Sequence, residues 1–239
     1  MPTPASPRRD PAAHTRRSRA IRAVIFDLDG TLIDTAEEIA LALGRTFAEL
    51  GLPTLPRPDV VALIGRGMHS MVQRALRQVG DEAAAARPEP AIARFEAHYA
   101  EVVATCAEPF PGVREGLARL GAGCIPMAVV TNKARWFSER LLDRLGLGPA
   151  FVALVAGDDG LPRKPEGAML EAACRRMGSG AAVTLMLGDS DNDVLAARRA
   201  GCPVWCVPYG YNEGRPVETL ACDRLVVSVA EAARLIVAG

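Results

Sequence analysis

Two aspartates stand two residues apart at the end of a short apolar run, Ala23-Val24-Ile25-Phe26, in the stretch Asp27-Leu28-Asp29-Gly30-Thr31. Continuous apolar runs of this kind read as strands buried on both faces, and open α/β sheets bind ligands at the carboxyl ends of such strands. A single Asp there is commonly a turn former. A pair followed by a glycine that lets a ligand approach the backbone points instead to chemistry. A second acidic cluster, Gly188-Asp189-Ser190-Asp191-Asn192-Asp193, follows the apolar run 183–187. Asp189 closes that run, Asp193 falls in the first turn of the next helical segment, and Asp191 reads as a helix-capping acid. Brought to one sheet edge, Asp27, Asp29, Asp189 and Asp193 would repel one another strongly, so the cluster requires a cation. With oxygen donors and no paired His or Cys, the expected ion is Mg²⁺.

Two further strand ends add polar groups. Thr131 and Asn132 follow the run 125–130, and Lys164 precedes Pro165 at an expected helix start. Of 28 basic residues only Lys133 and Lys164 are lysines. A compact, rotatable ammonium suits a point contact to phosphate and carboxylate where a planar guanidinium fork fits poorly. Lys164 therefore reads as functional, whereas Lys133 reads equally well as a solvated helix-start residue. His14, His69 and His98 fit no triad or metal spacing.

The elements that must position these residues alternate. Short apolar runs at 23–26, 125–130, 151–156, 183–187, 204–207 and 225–229 are separated by helix-length segments at 112–120, 135–145, 165–177 and 192–200. That alternation predicts a doubly wound parallel sheet with a Rossmann-like core. Residues 35–108 break it, carrying helical patterns and no strand, so a small helical cap is expected there, with residues 21–34 and 109–239 forming the core. Thr35 and Glu38 have the spacing of a capping box ahead of a stripe of Ile39, Ala40, Leu43, Phe47 and Leu50. Residues 83–86 read as a helix end and loop.

Composition narrows the functional classes. Lys plus Arg and Asp plus Glu both number 28 and aromatics make up 5%, which argues against a generic nucleic-acid binder. Residues 1–20 hold five arginines against Asp10 and almost no large apolar residue, so they are expected to be a disordered basic tail. Arg22, Asp27 and Asp29 interrupt the following apolar run, against a secretory signal, and no 18-residue apolar window predicts a membrane span. The six cysteines form no C-x₂-C pair; Cys202 and Cys206 are expected on one face of a strand. A cytoplasmic protein is the simplest expectation, and oligomeric state is left open.

Taken in order, Asp-x-Asp-Gly-Thr, then Thr131, then Lys164, then Gly-Asp-Ser-x-x-Asp resemble the four motifs of the haloacid dehalogenase superfamily, and the 35–108 segment resembles its small cap. Val130-Thr131-Asn132-Lys133, Ile64-Gly65-Arg66-Gly67 and Tyr209-Gly210-Tyr211-Asn212 are similar to bacterial phosphoglycolate phosphatases. The usual second proline of the third motif is absent, since Lys164-Pro165 is followed by Glu166-Gly167, which bears on the stiffness of that helix start. The resemblance implies a phosphomonoesterase in which Asp27 is the nucleophile and Asp29 the general acid and base. It implies Mg²⁺ held by Asp27, the Asp29 carbonyl and Asp189, with Asp193 orienting a water or supporting Lys164. Thr131, Asn132 and Lys164 would hold the phosphoryl oxygens, and Arg66 could pair with a carboxylate on a short substrate, 2-phosphoglycolate foremost. A phosphosugar mutase shares these motifs, and another small phosphomonoester is an alternative substrate. A receiver-like signalling module is a third reading, weakened by its lack of the second acid and of an insert over the site.

Overall fold

A computed structural model describes residues 20–238, so the expectations for the 1–20 tail, His14 included, fall outside the described residues except at Ala20. In chain order the strands are β1 (Ala23–Phe26), β2 (Ile33–Asp34), β3 (Glu108–Pro109), β4 (Met127–Val130), β5 (Ala153–Val155), β6 (Thr184–Gly188), β7 (Val204–Cys206) and β8 (Arg224–Leu225). Between β2 and β3 lie α1 (Ala36–Glu49), α2 (Arg57–Val61), α3 (Met68–Gln78), α4 (Glu82–Ala86) and α5 (Glu89–Val102). The rest of the chain adds α6 (Val113–Ala122), α7 (Arg135–Arg144), α8 (Ala168–Arg176), α9 (Asp191–Ala200) and α10 (Val229–Ala238).

The large sheet is parallel throughout, in the order β5-β4-β1-β6-β7-β8. β1 is central, with Val24 opposite both Met127 and Leu185. From β1 the order runs outward in both directions, which places the switch point of the sheet, where ligands bind in such folds, at the end of β1. Alternate residues serve opposite faces, as a strand's period of two dictates. Val24, Phe26, Val129, Leu185 and Leu187 pack with Val113, Leu117 and Leu120 of α6 and Val229 and Ala233 of α10. Ile25, Ala128, Val130 and Met186 pack with Met169 and Ala173 of α8 and Val194 and Ala197 of α9. Because both faces are covered, the strands read as continuous apolar runs rather than alternating ones.

The helical segment joins the core through a two-stranded antiparallel ribbon in which Ile33 faces Pro109 and Asp34 faces Glu108. Pro109, where the second part of the core is expected to begin, is thus a strand residue. Two buried side chains fasten this junction. Tyr211 accepts the N–H groups of Thr35 at 2.8 Å and Ala36 at 3.0 Å and donates to Asp34 Oδ1 at 2.7 Å. Glu38 accepts the N–H groups of Ala104, Thr105, Cys106 and Ala107 at 3.0, 2.7, 2.9 and 2.9 Å.

Glu38 is therefore no capping-box partner of Thr35. The run of N–H groups after α5 has no helix or strand to satisfy it, and a buried donor left unmade costs about 1–3 kcal/mol, so the carboxylate is drawn there. Other expectations also shift. Residues 82–86 form their own short helix, capped by Asp81, which accepts the Ala84 N–H at 2.9 Å. The 225–229 run is split between β8 and the start of α10. Cys202 precedes β7 instead of sharing it with Cys206, and the cysteines among the described residues are free. Among the described residues, no helix is long and apolar enough to cross a membrane.

Candidate active site

The carboxyl ends of β1, β4 and β6 converge, and each delivers polar side chains that its own apolar run cannot bury. Asp27 follows β1, Thr131 and Asn132 follow β4, and Asp189 follows β6. Lys164 reaches the same place from the loop before α8, next to a cis peptide bond to Pro165. Its ammonium lies 2.8 Å from Asp27 Oδ1 and 2.7 Å from Asp193 Oδ1, and its side chain is 1% exposed. Burying an ammonium is costly unless it is paired, and here two carboxylates pair it. Burial alone would pull the Lys164 pKa down, but Asp193 and Asp27 outweigh it and hold the ammonium charged.

Asp27 Oδ1 also accepts the Leu28 N–H at 2.7 Å, which fixes the carboxylate's rotamer, while Oδ2 has no hydrogen-bond partner among the described residues. Burial, with Asp193 and Asp189 nearby, raises its pKa well above the carboxylate range, against the opposing pull of Lys164. Asp189 is pushed up to about 6 by burial and then by Asp193. Its oxygens accept the Thr31 hydroxyl at 3.0 Å and the Tyr211 N–H at 2.7 Å. Gly210 permits that approach: a Cβ there would stand 2.2 Å from Asp189 Cβ. Asp193 Oδ2 accepts the Ser190 N–H at 3.2 Å and the Ser190 hydroxyl at 2.8 Å at the start of α9. Carboxylate oxygens of Asp27, Asp189 and Asp193 all lie within 4.8 Å of one another, and all three residues are buried. Three hard oxygen donors, of which Asp27 and Asp189 have raised affinity for protons, fit a hard divalent cation, which would reverse that preference.

Asp29 departs from the four-carboxylate picture, because its side chain turns away from this cluster. Lys133 Nζ donates to its two oxygens at 2.9 and 3.1 Å, and the Thr35 hydroxyl donates at 2.6 Å. The Asp29 carboxylate is thus compensated by a lysine and a hydroxyl instead of crowding three other acids. Lys133 itself, with a side chain 7% exposed, is buried and paired and not solvated. Burial lowers its pKa, but Asp29 and then Tyr99 more than offset this.

Thr131 Oγ1 accepts the Lys133 N–H at 3.1 Å, leaving its own hydrogen to donate. The Asn132 amide donates to Lys164 O and, across to the cap, to Gly65 O, both at 2.9 Å. Arg66 grips Glu213 through both Nε and Nη2, the latter at 2.9 Å, with its side chain 52% exposed. Asp191 pairs with Arg215 at 2.6 Å outside the cluster. His69 is exposed and His98 pairs with Glu49. The third motif's missing proline has a steric counterpart: a Cβ at Gly167 would lie 2.9 Å from the Ala200 backbone nitrogen, so the helix start presses directly on the end of α9. α8 accordingly begins at Ala168, three residues beyond the expected Pro165.

A cleft lies between core and cap, with about 520 Å³ of space counting the open solvent at its mouth, lined on the core side by Asp27, Asp29, Thr131, Asn132 and Lys133. Ile39, Ile64, Met68, Met71 and Phe95 of the cap face them. Sequence reasoning did not single out Tyr99, which also lines this cleft; its helical spacing with Phe95 reads as plain core.

The model of the haloacid dehalogenase-like hydrolase family matches residues 24–207. A phosphoglycolate phosphatase of Thiobacillus denitrificans is 44% identical over 221 residues, covering 90% of this chain and 96% of that protein. One of Nitrosospira multiformis is 42% identical, with coverages of 90% and 96%. A crystal structure of a predicted phosphoglycolate phosphatase from Haemophilus somnus superposes with a TM-score of 0.85 at 28% identity, covering 90% of this chain and 97% of that one. The strand-end acids, threonine and lysine that meet at β1 therefore belong to a recognised scaffold, and the chain is a member of the haloacid dehalogenase-like hydrolase family.

Proposed function

We propose that this protein is a Mg²⁺-dependent phosphomonoesterase that cleaves a small phosphorylated metabolite, 2-phosphoglycolate foremost, to glycolate and phosphate through an aspartyl phosphate on Asp27. The observation that carries this reading is the meeting of Asp27, Lys164, Asp193 and Asp189 at the end of β1, with Thr131 and Asn132 on the adjoining strand end. The relatives named phosphoglycolate phosphatase support the substrate.

Phosphoryl transfer needs an in-line nucleophile, positive charge around the equatorial oxygens and a proton for the leaving alkoxide. Asp27, anchored through Oδ1, attacks phosphorus through a carboxylate oxygen, and the ester oxygen of the substrate departs. The Thr131 hydroxyl, the Asn132 N–H and the Lys164 ammonium hold the phosphoryl oxygens. Asp29, exchanging its pairing with Lys133 for the reacting groups, serves as general acid toward the leaving oxygen and as general base toward the water that hydrolyses the aspartyl phosphate. Asp27, the Asp29 carbonyl and Asp189 would hold Mg²⁺, and Asp193 keeps Lys164 in place. When bound, the ion neutralises charge on the phosphoryl group and on its carboxylate ligands.

Phosphate release from a panel of small phosphoesters tests the reading. Mg²⁺-dependent turnover with 2-phosphoglycolate as the best substrate is expected. Undiminished turnover in excess chelator would contradict the metal, and preference for a phosphosugar would contradict the substrate.

A further inference from the structure

The cap side of the cleft is apolar except at one place. Tyr99 is 2% exposed, its hydroxyl donates to nothing among the described residues, and burial raises its pKa so that it stays a neutral donor. Lys133 Nζ stands 4.9 Å from the centroid of the Tyr99 ring. An ammonium has three donors; among the described residues Lys133 Nζ hydrogen-bonds the two oxygens of Asp29, and Tyr99 is the side chain beside its remaining donor. The cleft therefore holds one hydroxyl with nothing to donate to and one ammonium with capacity to spare, side by side, among its lining residues.

The phosphoryl group must sit against Asp27, so the leaving group extends into the space between core and cap. Any charge it carries enters a largely apolar chamber, where an unpaired carboxylate is strongly disfavoured. Lys133 is the single cation among the described residues that line this chamber. Arg66 is absent from its walls, and its guanidinium is taken by Glu213.

Resting on the phosphomonoesterase reading above, we propose that Lys133 and Tyr99 form the subsite for a carboxylate at the far end of the leaving group, and that this pair, in place of Arg66, sets the preference for a short acidic phosphoester. The ammonium supplies the charge and the hydroxyl a second, neutral donor. The apolar wall of Ile39, Met71 and Phe95 leaves longer polar tails without partners.

The test compares kcat/KM for 2-phosphoglycolate and ethyl phosphate, which has the same two-carbon tail without the carboxylate, in four proteins: wild type, Lys133→Met, Tyr99→Phe and Arg66→Ala. Wild type is expected to favour 2-phosphoglycolate. Lys133→Met should shrink that preference on the order of 10- to 100-fold, the range for losing a hydrogen bond to a charged group. Tyr99→Phe, which removes one oxygen and keeps the ring packing, should shrink it by a smaller factor and carries the test independently should Lys133→Met fail to fold. Arg66→Ala should leave the ratio where it is. If Lys133→Met and Tyr99→Phe slow both substrates equally, the subsite does not exist and Lys133 only positions Asp29. If Arg66→Ala alone erodes the ratio, the carboxylate lies at the cap loop. A wild type indifferent to the carboxylate would instead overturn the substrate reading, leaving the phosphatase chemistry standing.

Discussion

The two sides of the cleft are built from different materials. On the core side each charged group has a polar partner, with negative charge left over for a cation: Lys164 lies between Asp27 and Asp193, and Asp189 accepts a hydroxyl and a backbone N–H. On the cap side the lining is Ile, Met and Phe, with the Tyr99 hydroxyl donating to nothing among the described residues. A chemical apparatus that handles any phosphoryl group gains from rigid preorganisation, whereas selection among leaving groups needs only a shaped surface with few polar contacts. The difference predicts where a substitution damages the fold, where it damages the chemistry and where it changes only choice.

The severest change is expected at Lys164. Lys164→Met leaves Asp27 and Asp193 without their ammonium, and breaking a buried pair from one side costs about 3–5 kcal/mol. Urea unfolding in chelator should show that loss, and Mg²⁺ should restore part of it. An unchanged midpoint would mean that Lys164 does not hold Asp27 and Asp193 together as described.

Asp27→Asn separates chemistry from stability. Turnover should fall by at least about a hundredfold, the scale set by loss of an essential reacting group. Because burial raises the Asp27 pKa, ionising it costs the metal-free fold, so the melting temperature in chelator should not fall. Retained turnover would remove Asp27 from the chemistry.

Gly210→Ala is a smaller, directed perturbation. The added Cβ displaces Asp189, so half-maximal activity should require more Mg²⁺ while the substrate preference of the cap side persists. Titration of Mg²⁺ against rate measures both. The mildest change is Asp191→Ala, which removes only the exposed pair with Arg215. Its stability should move by less than about 1 kcal/mol, with Mg²⁺ affinity unaltered. Loss of metal affinity there equal to that in Asp189→Ala would redraw the acidic cluster.

The same division governs what could be read from sequence. Asp27, Thr131 and Asp189 were legible because each closes an apolar run, a position that packing does not explain, and the central sheet followed from those runs. Lys133 was ambiguous because a lysine after a strand end reads as solvated until its partner Asp29 is located across the fold. Glu38 was misread because its spacing from Thr35 matches a local cap, while its real partners are residues 104–107, far along the chain. Tyr99 carried no signal, since a helical aromatic stripe looks the same whether it faces core or cleft. β8 was overextended because residues 225–229 are apolar except for Ser228 across a strand, a turn and a helix start. Local pattern reports burial; which polar group meets which is decided by tertiary placement.

The covalent role of Asp27 is the claim on which the rest turns, and the stereochemical course at phosphorus tests it most directly. A phosphorothioate analogue of the substrate, its phosphorus made chiral with sulfur and two oxygen isotopes, is hydrolysed by the Mg²⁺-loaded enzyme in water carrying the third isotope, and the configuration of the released thiophosphate is determined. Attack by Asp27 followed by attack of water gives two in-line inversions, so the account predicts net retention. Net inversion would mean that water displaces the leaving group in one step, and Asp27 would then be a metal ligand or base without ever carrying the phosphoryl group.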